Sequence, residues 1–235
     1  ARDDLHHQVI EVLRRIAATH VGQLVDALLD PGVDFAIRRR VPRVLGRCPT
    51  QRSADGLMAA LSDERFEVRY RAGLALYQVT ELKPELHVDR NAIFAAALCE
   101  AERGEHVWRS QKLLDTSFDE GEAPFVEGSE RVGRSLEHVF TVLSVVLERE
   151  PLQLAYRALA TDDESLRGTG LEYLENVIPA DIREALWPYL GDRRVTKSSP
   201  RDREVVVSEL LDSMSSMAID LAAVRREVAR KDKKK

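Results

Sequence analysis

Residues 60–79 read ALSDERFEVRYRAGLALYQV, and residues 158–177 read ALATDDESLRGTGLEYLENV. Both begin Ala-Leu and then spend a few residues on Asp, Glu and small polar side chains. Seven positions after that Leu stands a branched apolar residue, Val68 or Leu166, followed at once by Arg69 or Arg167. Small residues come next, then an apolar stripe of Leu74, Leu76 and Val79 in one copy and Leu171, Leu174 and Val177 in the other. A catalytic motif rarely occurs twice in one chain, whereas a structural repeat must. The motif therefore predicts architecture before it predicts chemistry.

Periodicity extends the pattern in both directions. A first helix is expected through Leu5, Val9, Val12, Leu13 and Ile16, a second over 21–29 closed by Asp30-Pro31-Gly32, and a third over 36–45 with Pro42 inside it. Ser53 or Asp55 is expected to cap a helix running to Leu61, and the repeated stretch to form a helix over 67–81. Further helices are expected over 91–102, 107–114, 135–148, 151–160, 182–190, 202–211 and into the last residues. No sustained period-two alternation between hairpin turns argues for strands. Ile37-Arg38 precedes Val68-Arg69 by 31 residues, and Leu166-Arg167 follows by 98, close to three units of about 33. The expectation is an all-α chain of paired helices: a capping helix over 1–20, a repeat array over 21–190 and C-terminal helices with a basic tail over 191–235.

Within each unit the second helix opens on acids, which suits its positive end. Glycine costs about 1 kcal/mol relative to alanine inside a helix, so Gly73, Gly168 and Gly170 predict close helix crossings. The Arg of the motif is placed to bridge to the turn acid of its own or a neighbouring unit, fixing register more than adding stability. A short turn with Asp, then Val-Arg and small residues, resembles the HEAT repeat, most clearly at 57–79 and 152–177. That resemblance implies an α-solenoid of helical hairpins wound into a right-handed superhelix. The segments LSDERFEVRYRAGLAL, RSLEHVFTVLSVVLEREPLQLAYRAL and LRGTGLEYLENVIPADIREALWPYLGD also look like the cytoplasmic HEAT-repeat tail of bacterial transporters related to the ATP/ADP translocases of the major facilitator class. In that family the tail follows a membrane domain, so the resemblance implies a transporter-associated domain at the cytoplasmic face of the inner membrane. No transport residue maps onto this chain.

Composition narrows the function classes. The 235 residues are 44% hydrophobic and 32% charged, with a net charge of −5 that gives no general attraction to nucleic acid. The longest apolar run, nine residues from Val139 to Leu147, falls far short of the roughly 20 needed to cross a bilayer, so a soluble chain is expected. The charged opening ARDDLHH does not read as a signal peptide, and a start without Met suits an excised piece of a longer protein. Cys48 and Cys99 read as small buried hydrophobes of a reducing compartment.

Candidate sites are few. The run IRRRVPRVLGRCPTQR has no acid between Asp34 and Asp55, and Arg39, Arg43 and Arg47 recur every four residues as on one helical face. Together with Arg38, Arg69 and Arg167, expected near the inner helices, they are the candidate partner-binding residues. The patch suits an acidic peptide, phosphates or lipid headgroups, or else it is a solvated face paired with neighbouring acids. His7 and Glu11 lie one turn apart, with His6 beside them, but no second ligand pair supports a metal. Trp108 and the Trp187-Pro188-Tyr189 step read as core, with a groove lining as the alternative. The acidic stretch 115–130 reads as an exposed loop, and the tail 225–235, with seven bases against two acids, suits an anionic membrane surface or a frayed end. Neither catalytic residue nor cofactor is expected. The leading expectation is a cytoplasmic, non-enzymatic HEAT-repeat scaffold with a protein partner. The alternative is a HEAT-like enzyme, a DNA glycosylase of the alkylpurine type or a bilin lyase.

Overall fold

The computed structural model describes residues 16–103, 134–161, 163–190 and 205–208. Among them every regular element is helical and no strand occurs, consistent with the expected all-α class. It divides into two compact units, Ala1–Leu147 and Glu148–Lys235. The division falls inside the span 21–190 that periodicity treats as one array.

In the first unit, α1 (Val21–Leu29) buries Val21, Val25 and Leu28, an i, i+4, i+7 stripe. It stops at Asp30, whose carboxylate accepts from Gly32 N–H, as the Asp-Pro-Gly step demands. The third expected helix proves to be two. Asp34 caps α2 (Phe35–Arg38) by accepting from Ala36 N–H, and α3 (Val41–Leu45) follows after a turn at Arg39 and Arg40. Pro42 is the cause. It has no N–H for the carbonyl of Arg38, yet it is well placed as the second residue of a new helix, where no donor is needed. Thr50, not Ser53 or Asp55, caps α4 (Gln51–Ala60): its hydroxyl accepts from Ser53 N–H.

The opening repeat forms α5 (Phe66–Leu82), which is buried on nearly every side and packs against α3, α4 and α7. Asp89 caps α6 (Arg90–Glu102), which packs on α7 (Arg134–Leu143). The sequence had carried α7 to residue 148. It ends five residues earlier, where the Ser144 hydroxyl bonds back to Phe140 O and a tighter turn runs through Val145 and Val146.

In the second unit, α8 (Arg149–Leu159) and α9 (Glu164–Val177, capped by Asp163) form a closely packed pair, and α10 (Ala180–Leu190) packs on α9. Pro151 is the third residue of α8, still within the first turn where its missing N–H costs nothing.

The motif arginines explain how successive helices are tied within each unit. Arg38 is buried; it donates from Nε to Leu28 O in the last turn of α1, 2.9 Å, and reaches forward to the Asp63 carboxylate in the α4–α5 turn. Arg69, 1% exposed, donates to Asp63 O at 2.8 Å and Glu64 O at 3.0 Å, and from Nε to Glu100 of α6 at 2.9 Å. Arg167 donates to Leu159 O at the end of α8, 2.8 Å, and reaches forward to Leu190 O at the end of α10. Each reaches back to the end of the first helix of its own hairpin, or to the turn just beyond it, and forward to the next. The carbonyls at helix ends have no partner within the helix, and a guanidinium fork can serve two at once.

The small residues behave less uniformly than expected. A Cβ on Gly73 would lie 2.8 Å from His138 Cε1 on α7, and one on Gly170 would lie 3.0 Å from Ala158 Cβ and 3.2 Å from Ala155 O on α8. These are the close crossings the motif predicts. Gly168 has nothing within 4 Å, so it marks no crossing. Cys48 is buried, but Cys99 is exposed and corrects the expectation of two core cysteines. Ile37, expected in an apolar core stripe, is 54% exposed.

Two stability outcomes follow, each measured by urea unfolding. Gly168→Ala should stabilise by up to about 1 kcal/mol by removing helix-interior glycine entropy, whereas Gly73→Ala and Gly170→Ala should destabilise; equal effects at all three positions would contradict the assigned packing. Glu100→Gln should cost about 3–5 kcal/mol, the usual penalty for leaving one member of a buried ion pair alone, and a loss below about 1 kcal/mol would show that Arg69 is held by its turn carbonyls alone.

Candidate docking surface

The turn that separates α2 from α3 also sets out the surface. Within α3, Val41, Pro42 and Leu45 are buried and Arg43 is exposed; Arg40 at its N-cap and Arg47 just beyond its C-cap are exposed too, at i, i+3 and i+7 with Arg43. Among the described residues no hydrogen bond or ion pair engages these three side chains, whereas Arg38 and Arg52 of the same run do pair with Asp63 and Asp26 of neighbouring segments, so the run is in part a face paired with acids. Arg39 lies in the turn before α3, half-buried, with its guanidinium carbon 6.0 Å from the centre of the Phe35 ring. The helical spacing that grouped Arg39 with Arg43 and Arg47 is interrupted by the break, and Arg40 takes its place in the α3 register.

Phe35 adds an aromatic to this face. Its ring is 38% exposed, and exposed Arg65, just before α5, stands 5.2 Å from its centre. Guanidinium groups prefer this position over an aromatic face. Ile37 is the second exposed apolar residue of α2. Sequence reasoning passed over Phe35 and Ile37 because apolar residues at helical spacing look like core, kept Arg40 in the basic run but outside the face of Arg39, Arg43 and Arg47, and gave no signal for Arg65. Only the break before α3 shows that α2 turns its apolar side chains outward.

The remaining candidates sort differently. Arg38 and Arg69 are buried with their guanidinium groups committed inside the first unit, and Arg167 is half-buried and committed inside the second. None offers a free guanidinium to a partner, and that is the correction to their candidacy as partner-binding residues. Half-buried Trp187 is neither core nor open surface. His6, His7, Glu11, Trp108, the stretch 115–130 and the tail 225–235 lie outside the described residues. Among the described residues no cluster of His, Cys, Asp and Glu has the arrangement to hold a metal, and no helix is long and apolar enough to cross a membrane.

One titratable cluster sits inside the first unit. Phe66, Tyr70 and Leu74 form a buried stripe on α5, and His138 of α7 packs edge-on to Phe66 at 5.9 Å and tilted against Tyr70 at 6.0 Å. The Tyr70 hydroxyl donates to Glu137 Oε1 at 3.3 Å, and Arg134 stands 5.5 Å from the centre of its ring. Burial drives the His138 pKa down to about 3, helped by the positive charges of Arg69 and Arg103, and no hydrogen bond reaches its Nδ1. Burial likewise pushes the Tyr70 phenol and the Glu137 carboxyl upward, though the Tyr70 hydrogen bond and the Arg134 charge partly offset the shift at Glu137. His138 is thus neutral at physiological pH and packs as an aromatic between α5 and α7. Compared with known proteins, the chain matches no family model, no curated protein and no solved structure.

A pH dependence follows from His138. Its folded pKa lies below its unfolded value of 6.5, so its neutral burial contributes stability that is complete above about pH 6.5 and declines as the pH falls toward about 3. In urea unfolding, the wild type and His138→Leu should run parallel from pH 7.5 to about 6.5, and below that wild-type stability should fall more steeply, by up to about 1.4 kcal/mol per pH unit down to pH 4.5. Curves parallel over the whole range would show that the imidazole takes up no extra proton on unfolding.

Proposed function

We propose that the chain is a non-enzymatic binding scaffold, an α-solenoid of HEAT-like hairpins whose product is a surface for a protein partner. The observation that supports this most is the repeated two-way reach of Arg38, Arg69 and Arg167. Residues of the repeated motif are used to bind hairpin to hairpin, as repetition requires, and none is left over for chemistry. A repeat that cannot bury its apolar face alone gains stability from its neighbours and leaves an extended outer surface free for contacts. Exposed Arg40, Arg43 and Arg47 are charges that this internal network does not consume.

The resemblance to transporter tails extends the proposal. The partner is a membrane protein approached from the cytoplasm, either the membrane half of a longer parent chain or a separate transporter. The tail 225–235 would add contact with an anionic membrane surface, each base near the headgroups contributing about 1 kcal/mol.

Photo-cross-linking tests the reading. A light-activated residue placed at Arg47 should capture a discrete protein in cells, whereas the same probe at Glu85, exposed after α5, should capture little. Release of alkylated purines from methylated DNA by the purified chain, with no protein captured from any surface position, would replace the scaffold with the enzyme alternative.

A further inference from the structure

Resting on that scaffold reading, we infer that the α2–α3 face binds an acidic peptide segment of the partner. Its carboxylates fork onto Arg40, Arg43 and Arg47, and an apolar side chain rests on Phe35 and Ile37. Three observations carry the inference. First, most other described arginines already have a partner: Arg38, Arg69, Arg71 and Arg103 pair with carboxylates, Arg90, Arg167 and Arg183 donate to backbone carbonyls, and Arg52 pairs with Asp26 at the surface. Among the described residues, Arg43 on α3, Arg40 at its N-cap and Arg47 just past its C-cap are exposed with no hydrogen bond or ion pair. Second, two exposed apolar side chains adjoin them in the chain, and a guanidinium from each of two segments stands by the Phe35 ring. An aromatic already flanked by cations is held in place for a mixed apolar and acidic ligand. Third, the cations are all arginine, whose planar fork fits a carboxylate bidentately where lysine offers a point charge.

The balance of charge favours a peptide over a larger polyanion. No acid lies between Asp34 and Asp55, and Asp63 is already neutralised by Arg38. A peptide feels mainly charges within a Debye length, about 8 Å at physiological salt, so along Arg39 to Arg47 it meets bases, with exposed Asp34 and Glu64 flanking the Phe35 end of the face. A bilayer or a duplex would also meet the rest of a chain with 40 acids against 35 bases. The same arithmetic explains how a protein of net charge −5 can carry a basic docking face.

The test measures binding of the full chain to a fluorescein-labelled peptide of glutamates interspersed with phenylalanines. A glutamine version of that peptide, phosphatidylserine vesicles and a DNA duplex serve as the other probes. The glutamate peptide should bind and weaken with added salt, and the glutamine version should not. Joint Arg40→Glu, Arg43→Glu and Arg47→Glu substitutions should lower affinity at least about tenfold. The three arginine-to-lysine changes together, and Phe35→Ala with Ile37→Ala, should each lower it several-fold. All these side chains are exposed, so thermal unfolding should be nearly unchanged and the losses attributable to the surface. Binding unaffected by charge reversal overturns the inference, as does tighter binding to vesicles or duplex that the same reversal abolishes. If the reversed chain still cross-links its cellular partner through other positions, this face is wrong while the scaffold stands; capture of no protein from any position sinks both.

Discussion

The constraint on which this molecule depends is the hydrogen bonding of helix ends. Every helix leaves carbonyls at its C-terminal end that the helix itself cannot satisfy, and a pile of short helices has many such ends facing inward. The chain answers with an arginine at the fourth position of the second helix, buried at Arg38 and Arg69 and half-buried at Arg167. Arg38, Arg69 and Arg167 each meet carbonyls of their own hairpin's first helix or turn and then a group of the next hairpin. Burying so many charges does not add much stability in itself. What it does is fix register, because a helix shifted by one residue would leave both a guanidinium and several carbonyls without partners.

This division of labour explains why arginines of similar sequence context end in opposite roles. Arg38 and Arg40 are two residues apart, yet one is sealed between α1 and the α4–α5 turn while the other faces water. A helix of ordinary length would have distributed the run around its circumference. The break at Pro42 instead gives α3 its own register and brings Arg40, Arg43 and Arg47 to one side. The same break leaves Phe35 and Ile37 exposed on α2, so one proline determines both the charge and the apolar content of the face.

Much of the fold was legible in the sequence for physical reasons. α1, α5, α6, α8 and α10 agree with periodicity to within a residue or two; the Asp-Pro-Gly step closes α1 and Asp89 caps α6, while α5 is fixed by its long apolar run. Where the reading failed, two local devices competed. Thr50 outcompeted Ser53 and Asp55 as the cap of α4, and Ser144 closed α7 early by bonding back to its own helix. Gly168 looked like Gly170 in sequence, but only Gly170 faces another helix. The candidate site, the arginine face, was half legible: the missing acids are visible in one dimension, whereas which arginines are spent internally depends on carbonyls, and carbonyls carry no letter.

Cys48 and Cys99 give this architecture an internal gauge. They are the two thiols of the chain, one shut in just behind α3 and one open on α6. An alkylating reagent meets Cys99 at once, whereas Cys48 becomes available only when the segment beneath the arginine face lifts away. The ratio of the two modification rates therefore reports how often that segment breathes, and whether an occupant on the face holds it shut.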